Sequence, residues 1–463
     1  MIIRQYQLEC LSLFSYLVAD PSTGRAVVID PQRDISIYLA EAAAEGLTIE
    51  AVIETHFHAD FVSGHLELAS ATGARILYGP SAIADYAIET MANRERLSLG
   101  DVQLEFRHTP GHTPESMCIV AYERADAEVP TAIFSGDTLF IGDVGRPDLL
   151  TSLGVTADDL ARRLYHSLQT EILTLPDETV VYPAHGAGSA CGKSLSDATS
   201  STIGAERRSN YALAPMTEDE FVAAVTEGQS VAPLYFVFAA TTNRRERELL
   251  DDAEPPRRFA LDQVLAAQAD GTVVVDCRAP EVFASGHLRG SINVGLDGRF
   301  AEYAGDIVRP GQSVIVVTDA GRETEAKVRL ARIGFDGVIG ALDDVEAVLI
   351  ARPDLAKPLR RLNATEVAAW IATDDVQVVD VRNPGEVEAG ALPGAVNIPL
   401  PVLMGRLDEL DSSRPTVVYC AGGYRSAAAS SALSANGFDT VADLIGGYDA
   451  WVALAAPHAV AAG

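Results

Sequence analysis

The chain has 463 residues, a formal net charge of −30 at pH 7 and 48% hydrophobic residues. At roughly 150 residues per domain the length corresponds to about three domains, each able to bury a core. The acidic balance argues against nucleic acid or an anionic membrane as partner, because both demand a positive surface.

Five scattered cysteines (Cys10, Cys118, Cys191, Cys277, Cys420) include no CxxC pair. They fit free thiols in a reducing cytoplasm better than a disulfide framework. The stretch Met1–Tyr6 lacks the apolar core of a leader, and no run approaches the ~18 apolar residues of a membrane span.

In chain order, short strands are expected at Ala26–Ile29, Ala51–Ile53, Gln103–Phe106, Ala132–Phe134 and Thr179–Tyr182. Helical segments are expected at Ile35–Ala44 and Ala157–Gln169, so the first 250 residues read as an α/β domain. Four of these strands run into potential ligands. Ala51–Ile53 leads to Thr55-His56-Phe57-His58-Ala59-Asp60-Phe61, where two histidines and an aspartate alternate. Phe106 leads to Gly111-His112, Phe134 to Gly136-Asp137, and Tyr182 to His185. Imidazole and carboxylate are the usual ligands of zinc and iron, and loops at strand ends hold such groups on a rigid frame.

Two charged, proline-bearing stretches, Asp251–Arg258 and Arg352–Pro358, read as linkers. The segments after them repeat each other. Asp276, Gly286, Gly290 and Asn293 return 104 residues later as Asp380, Gly390, Gly394 and Asn397. Landmarks aligned over most of a hundred residues indicate two copies of one domain. Alternating β-branched runs and helical segments imply a parallel sheet in each. The expected division is 1–250, 258–352 and 361–463.

The metal-type set resembles the metallo-β-lactamase fold, an αβ/βα sandwich, over roughly residues 1–250. Binuclear members such as glyoxalase II read H-x-H-x-D-H, and here Phe61 stands in the last position. A second ion would keep Asp60, His185 and a bridging Asp137 but lose one imidazole, so one metal is expected. The resemblance is closer to persulfide dioxygenases, and the run Gly142–Leu149 also looks like that family. It implies iron(II) held by His56, His112 and Asp137, a facial triad with open positions for dioxygen and a substrate sulfur. It also implies His58, Asp60 and His185 as neighbours that orient ligands or water, or as relics of a lost second site. Cys191 either reaches the pocket and carries sulfur or is a small buried hydrophobe. Arg207, Arg208 and Asn210 lie where related enzymes contact the carboxylates of a thiol cofactor, or form a solvated helix face.

In the second copy, Cys420-Ala421-Gly422-Gly423-Tyr424-Arg425 follows an apolar strand and precedes a helix-prone run, Ser426–Asn436. Glycines let backbone N–H groups turn inward, and a helix N-terminus favours a thiolate or persulfide anion. Arg425 closes the loop as a fixed cation. This strongly resembles a rhodanese, a sulfurtransferase, with Cys420 as nucleophile. Phosphatase loops are one residue longer. The first copy has Thr318-Asp319-Ala320-Gly321-Arg322 at the same place. A carboxylate forms no persulfide, so residues 258–352 read as an inactive rhodanese-like domain, with Cys277 in its core.

The combined resemblance implies oxidation of a low-molecular-weight persulfide such as glutathione persulfide, coupled to rhodanese transfer with thiosulfate or sulfite. A homo-oligomer is also implied, as related enzymes form them. A glyoxalase II-like thioester hydrolase with an accessory sulfurtransferase is the other reading.

Overall fold

A computed structural model describes residues 1–149, 151, 154–373 and 375–455. It divides into two compact units, Met1–Asp251 with Ala331–Gly334, and Asp252–Leu330 with Phe335–Gly463. Apart from Ala331–Gly334, both repeat copies therefore fall in the second unit.

The first unit contains two six-stranded sheets. One runs in chain order through Ile2–Leu8, Leu13–Asp20, Arg25–Ile29, Thr48–Ile53, Arg75–Tyr78 and Glu89–Thr90. The other runs Ser201–Thr202, Val180–Pro183, Ala132–Gly136, Met117–Tyr122, Gln103–His108 and Arg96–Ser98. Successive strand residues point to opposite faces, and the core follows that period. Val27 and Ile29 pack with Phe14, Phe106 and Phe134 in one apolar cluster, while Ala26 and Val28 pack with Tyr38 and Leu68 in another. Tyr38 and Leu68 sit on helices Ser36–Glu45 and His65–Thr72. A third cluster joins Val120, Ile133 and Val181 of the second sheet to Leu160-flanking residues Ala161 and Leu164 of helix Ala157–Ser167. Helices thus cover the sheets, giving the αβ/βα sandwich.

The two N-terminal strands, Ile2–Leu8 and Leu13–Asp20, were not among the sequence expectations. They form an antiparallel hairpin, with Leu8 opposite Leu13. Helix Ala157–Ser167 continues as a π-helical turn, Leu168–Ile172.

In the second unit each copy has a five-stranded parallel sheet of one order. The first runs Arg258–Phe259, Val338–Leu342, Val314–Val317, Val273–Asp276, Ile292–Asn293. The second runs Arg360–Leu362, Val441–Leu444, Thr416–Tyr419, Gln377–Asp380, Val396–Asn397. The register repeats as well: Asp276 pairs with Asn293, and Asp380 with Asn397. The expected linker Arg352–Pro358 is more ordered than its composition implied. Its Ala356–Lys357 pairs with His287–Leu288 of the first copy.

Candidate metal centre and sulfur-transfer loop

The strand Thr48–Ile53 ends at a stretch that is buried throughout from Glu54 to His65. His56, His112 and Asp137 come together there, each offering a ligand atom within 4.8 Å of the others. Asp137 Oδ2 lies 3.4 Å from His112 Nε2 and 3.9 Å from His56 Nε2.

The tautomers follow from the hydrogen bonds. His112 Nδ1 stands 2.9 Å from the Arg146 carbonyl oxygen, which only accepts, so Nδ1 carries the proton. His185 Nδ1 likewise donates to the Ser12 carbonyl at 3.2 Å. Thr55 Oγ1 gives its proton to Asp30 Oδ2 and so accepts from His56 Nδ1 at 3.0 Å. All three rings therefore keep an Nε2 lone pair for the centre, as metal-binding histidines do. Burial lowers the pKa of His56, of His185 and of His112, the last to about 4, which keeps the imidazoles neutral. Burial raises the carboxyls of Asp60 and Asp137 to about 6.

His56 Nε2, His185 Nε2 and both carboxylate oxygens of Asp60 and Asp137 have no hydrogen-bond partner despite complete burial. Orphaned buried atoms of this kind cost free energy unless something neutralises them. Neutral nitrogen donors beside carboxylates suit a divalent cation, so the residues present fit a metal.

The neighbouring donors are placed as follows. His185 Nε2 is 3.4 Å from both Asp60 Oδ2 and Asp137 Oδ1. His58 has its Nε2 3.0 Å from Asp30 Oδ1 and 3.4 Å from Glu54 Oε2. Burial disfavours its charged form, but those two carboxylates outweigh burial and raise its pKa. Asp30 occupies the left-handed region at φ +49° and also binds the Thr55 amide at 2.7 Å. Phe61 is 1% exposed, its ring centre 4.3 Å from that of His58. Cys191 is buried within the same 4.8 Å reach of Asp137 and His185. Burial and the two nearby aspartates push its thiol well up.

The Gly142–Leu149 run builds the wall behind His112. Arg146 is buried, donates to the Ala190 carbonyl and pairs with Asp148 at 2.7 Å, while its amide bonds the Cys191 carbonyl. Gly145 is required because a Cβ there would stand 2.0 Å from the Asp137 carbonyl oxygen and 3.0 Å from His112 Nδ1.

The three residues expected either at a thiol cofactor or on a solvated helix face are placed as follows. The Asn210 amide is buried and donates to the Phe140 and Asp143 carbonyls and to Glu206. Arg207 donates to the Leu173 and Leu175 carbonyls at the end of the preceding helix. Arg207 and Arg208 are both exposed.

In the second unit Cys420 is 1% exposed. The Gly423 amide donates to its Sγ at 3.1 Å, and Ser426 Oγ lies 3.6 Å away. Helix Tyr424–Ala435 starts directly after Gly423, whose φ is +102°. Gly447 packs on the loop from behind; a Cβ there would lie 2.2 Å from the Ala421 carbonyl oxygen. Arg425 lies in the first turn of that helix. It makes two parallel 2.7 Å bonds to Glu386, so its charge is paired and it braces the loop. The Tyr424 hydroxyl donates to the Gly295 carbonyl of the first copy, leaving only its backbone at the cradle. In that first copy Asp319 is exposed and Arg322 pairs with Glu325 and Asp297.

The sequence matches the metallo-beta-lactamase superfamily over residues 9–185 and the rhodanese-like domain over 260–344 and 363–454. The chain belongs to the metallo-beta-lactamase superfamily and carries two rhodanese-like domains. Human mitochondrial persulfide dioxygenase ETHE1 is 30% identical over 249 residues, 53% of this chain and 88% of that protein. A hydroxyacylglutathione hydrolase of Polaromonas sp. is 36% identical over 178 residues, 37% of this chain and 61% of that protein. The chain spans between 57% and 63% of the length of three such hydrolases. A solved metallo-beta-lactamase from Staphylococcus aureus subsp. aureus COL shares 32% identity at a TM-score of 0.67. That likeness covers 74% of this chain and 99% of the other.

Proposed function

We propose that the chain is a persulfide dioxygenase joined to an active sulfurtransferase. The first unit would oxidise a low-molecular-weight thiol persulfide such as glutathione persulfide. One persulfide, one dioxygen and one water give the free thiol, sulfite and two protons. A single iron(II) per chain, held by His56, His112 and Asp137, would supply electron transfer to dioxygen and open positions for the substrate sulfur. The chain's own part is to fix the two ligand Nε2 lone pairs through Thr55 and Arg146, to fix that of neighbouring His185 through Ser12, and to bury all three rings. The observation that carries this reading is Phe61. It occupies the position where the binuclear pattern has a histidine, its ring packs on His58, and His56, His112 and Asp137 converge, as do His58, Asp60 and His185. The near full-length likeness to a persulfide dioxygenase supports it.

At the second site the Cys420 thiolate would attack the sulfane sulfur of thiosulfate, releasing sulfite and leaving a Cys420 persulfide. A thiol would then take the outer sulfur and regenerate Cys420. The Gly423 amide donates to Sγ, and helix Tyr424–Ala435 begins beside it. The thiol persulfide so formed is of the class the first site consumes. Cys191, close to Asp137 and His185, would accept sulfur there in this proposal. We further propose a cytoplasmic homo-oligomer with no nucleic-acid or membrane partner. Among the described residues no helix is long and apolar enough to cross a membrane.

The hydrolase reading is favoured by the 36% identity to a hydroxyacylglutathione hydrolase. Oxygen uptake with glutathione persulfide, together with elemental analysis showing iron, supports the dioxygenase. Cleavage of S-lactoylglutathione without oxygen uptake would replace it by the hydrolase.

A further inference from the structure

The ligand stretch from His56 to Phe61 belongs to no helix or strand, yet it is buried. Buried backbone groups need partners, and these find theirs far away in sequence. Asn243 follows the short helix Phe236–Thr242 and is 1% exposed. Its Nδ2 donates to the carbonyls of His58 and Phe61, both at 2.8 Å. Its Oδ1 accepts from the Ser63 amide at 2.9 Å. Two carbonyls require two N–H donors and one amide requires an acceptor, so the orientation of the side chain is settled by its partners. The three bonds bracket Ala59 and Asp60 and fix the turn between His58 and Phe61. Asn243 is itself held, donating its backbone amide to the Ala239 carbonyl and accepting from the Tyr86 hydroxyl at 2.6 Å.

We propose that Asn243 is a positioning residue for the metal centre: it sets the path of the ligand loop and hence the affinity and geometry of the bound ion. The segment lies beyond the superfamily match, which ends at residue 185. The inference rests on the His/Asp cluster holding a metal and not on which reaction that metal serves. Arg247 supplies the control. It binds the Ser63 carbonyl at 2.6 Å and Glu67, so it ties the same segment to the fold without touching His58 or Phe61.

The test uses the full chain, stripped of metal and titrated with cobalt(II), whose visible spectrum reports ligand geometry. Asn243→Asp keeps the volume and the bond from Ser63 but replaces both donors with an oxygen facing two carbonyls. Asn243→Ala removes all three bonds. Both variants should bind cobalt about 10- to 100-fold more weakly, as expected when a group supporting metal ligands is lost, and with an altered spectrum. Arg247→Ala should lower the melting temperature of the metal-free protein with near-unchanged affinity and spectrum. Unchanged affinity and spectrum in Asn243→Asp would overturn the proposal. So would shifts in all three variants that track melting temperature alone. If persulfide oxidation is absent but cobalt affinity falls as stated, the functional reading fails and this inference stands.

Discussion

The ring of Phe61 lies against the imidazole of His58, centres 4.3 Å apart, one residue along the chain from Asp60, whose carboxylate oxygens have no hydrogen-bond partner. A histidine here would complete the H-x-H-x-D-H donor pattern next to Asp60, whose Oδ2 lies 3.4 Å from His185 Nε2. Phe61→His should therefore raise the metal content from one to two ions per chain, measured by elemental analysis after dialysis against zinc. Persistence at one ion would show that Phe61 is not what limits the count.

Protons compete with the metal through the carboxylates. In the metal-free protein burial holds Asp60 and Asp137 near 6, while His112 titrates only near 4. Above pH 6 the centre presents carboxylates and neutral imidazoles. Below it, each carboxylate that must lose a proton weakens binding by about tenfold per pH unit. Titrations from pH 5 to 8 should show affinity falling as pH drops through about 6. For the metal-free fold the sign is opposite. A carboxyl raised from 3.8 to about 6 favours the folded state at low pH, and that contribution is lost as pH rises through 6.

Gly145 carries a steric prediction. A methyl group there meets the Asp137 carbonyl oxygen at 2.0 Å, so backbone has to move. Gly145→Ala should destabilise the protein by about 1–3 kcal/mol, the range for overpacking, and reduce bound metal. Denaturant melts and metal analysis on the same sample check both.

The two chemistries should separate. Cys420→Ser leaves the cradle in place but removes the sulfur nucleophile. Thiosulfate sulfurtransfer should fall to background while oxygen uptake with glutathione persulfide stays within about twofold. A parallel loss of both in folded protein would show that the sites are not independent.

Arg425 and Asn210 show what residue identity leaves open. Each is polar, near a motif, and of a type that binds anions or amides. The bidentate bond to Glu386 and the three donations by Asn210 consume them internally. Glu386 lies 39 residues from Arg425, and nothing local in the chain announces the pair. By contrast the repeat was readable because corresponding residues keep their strand registers in both copies.

Ligand chemistry is local: alternating His and Asp after a β-branched strand, or a cysteine ahead of a glycine turn and a helix, declares itself within a dozen residues. The chain alone therefore determined the sandwich and the doubled domain, and it marked the candidate donors and the candidate nucleophile. Folding decided which donors meet, which nitrogen of each ring faces inward, and that an amide 185 residues from His58 holds the loop that carries it. Those outcomes depend on buried hydrogen bonds between distant segments, whose partners are chosen by packing rather than by sequence neighbours.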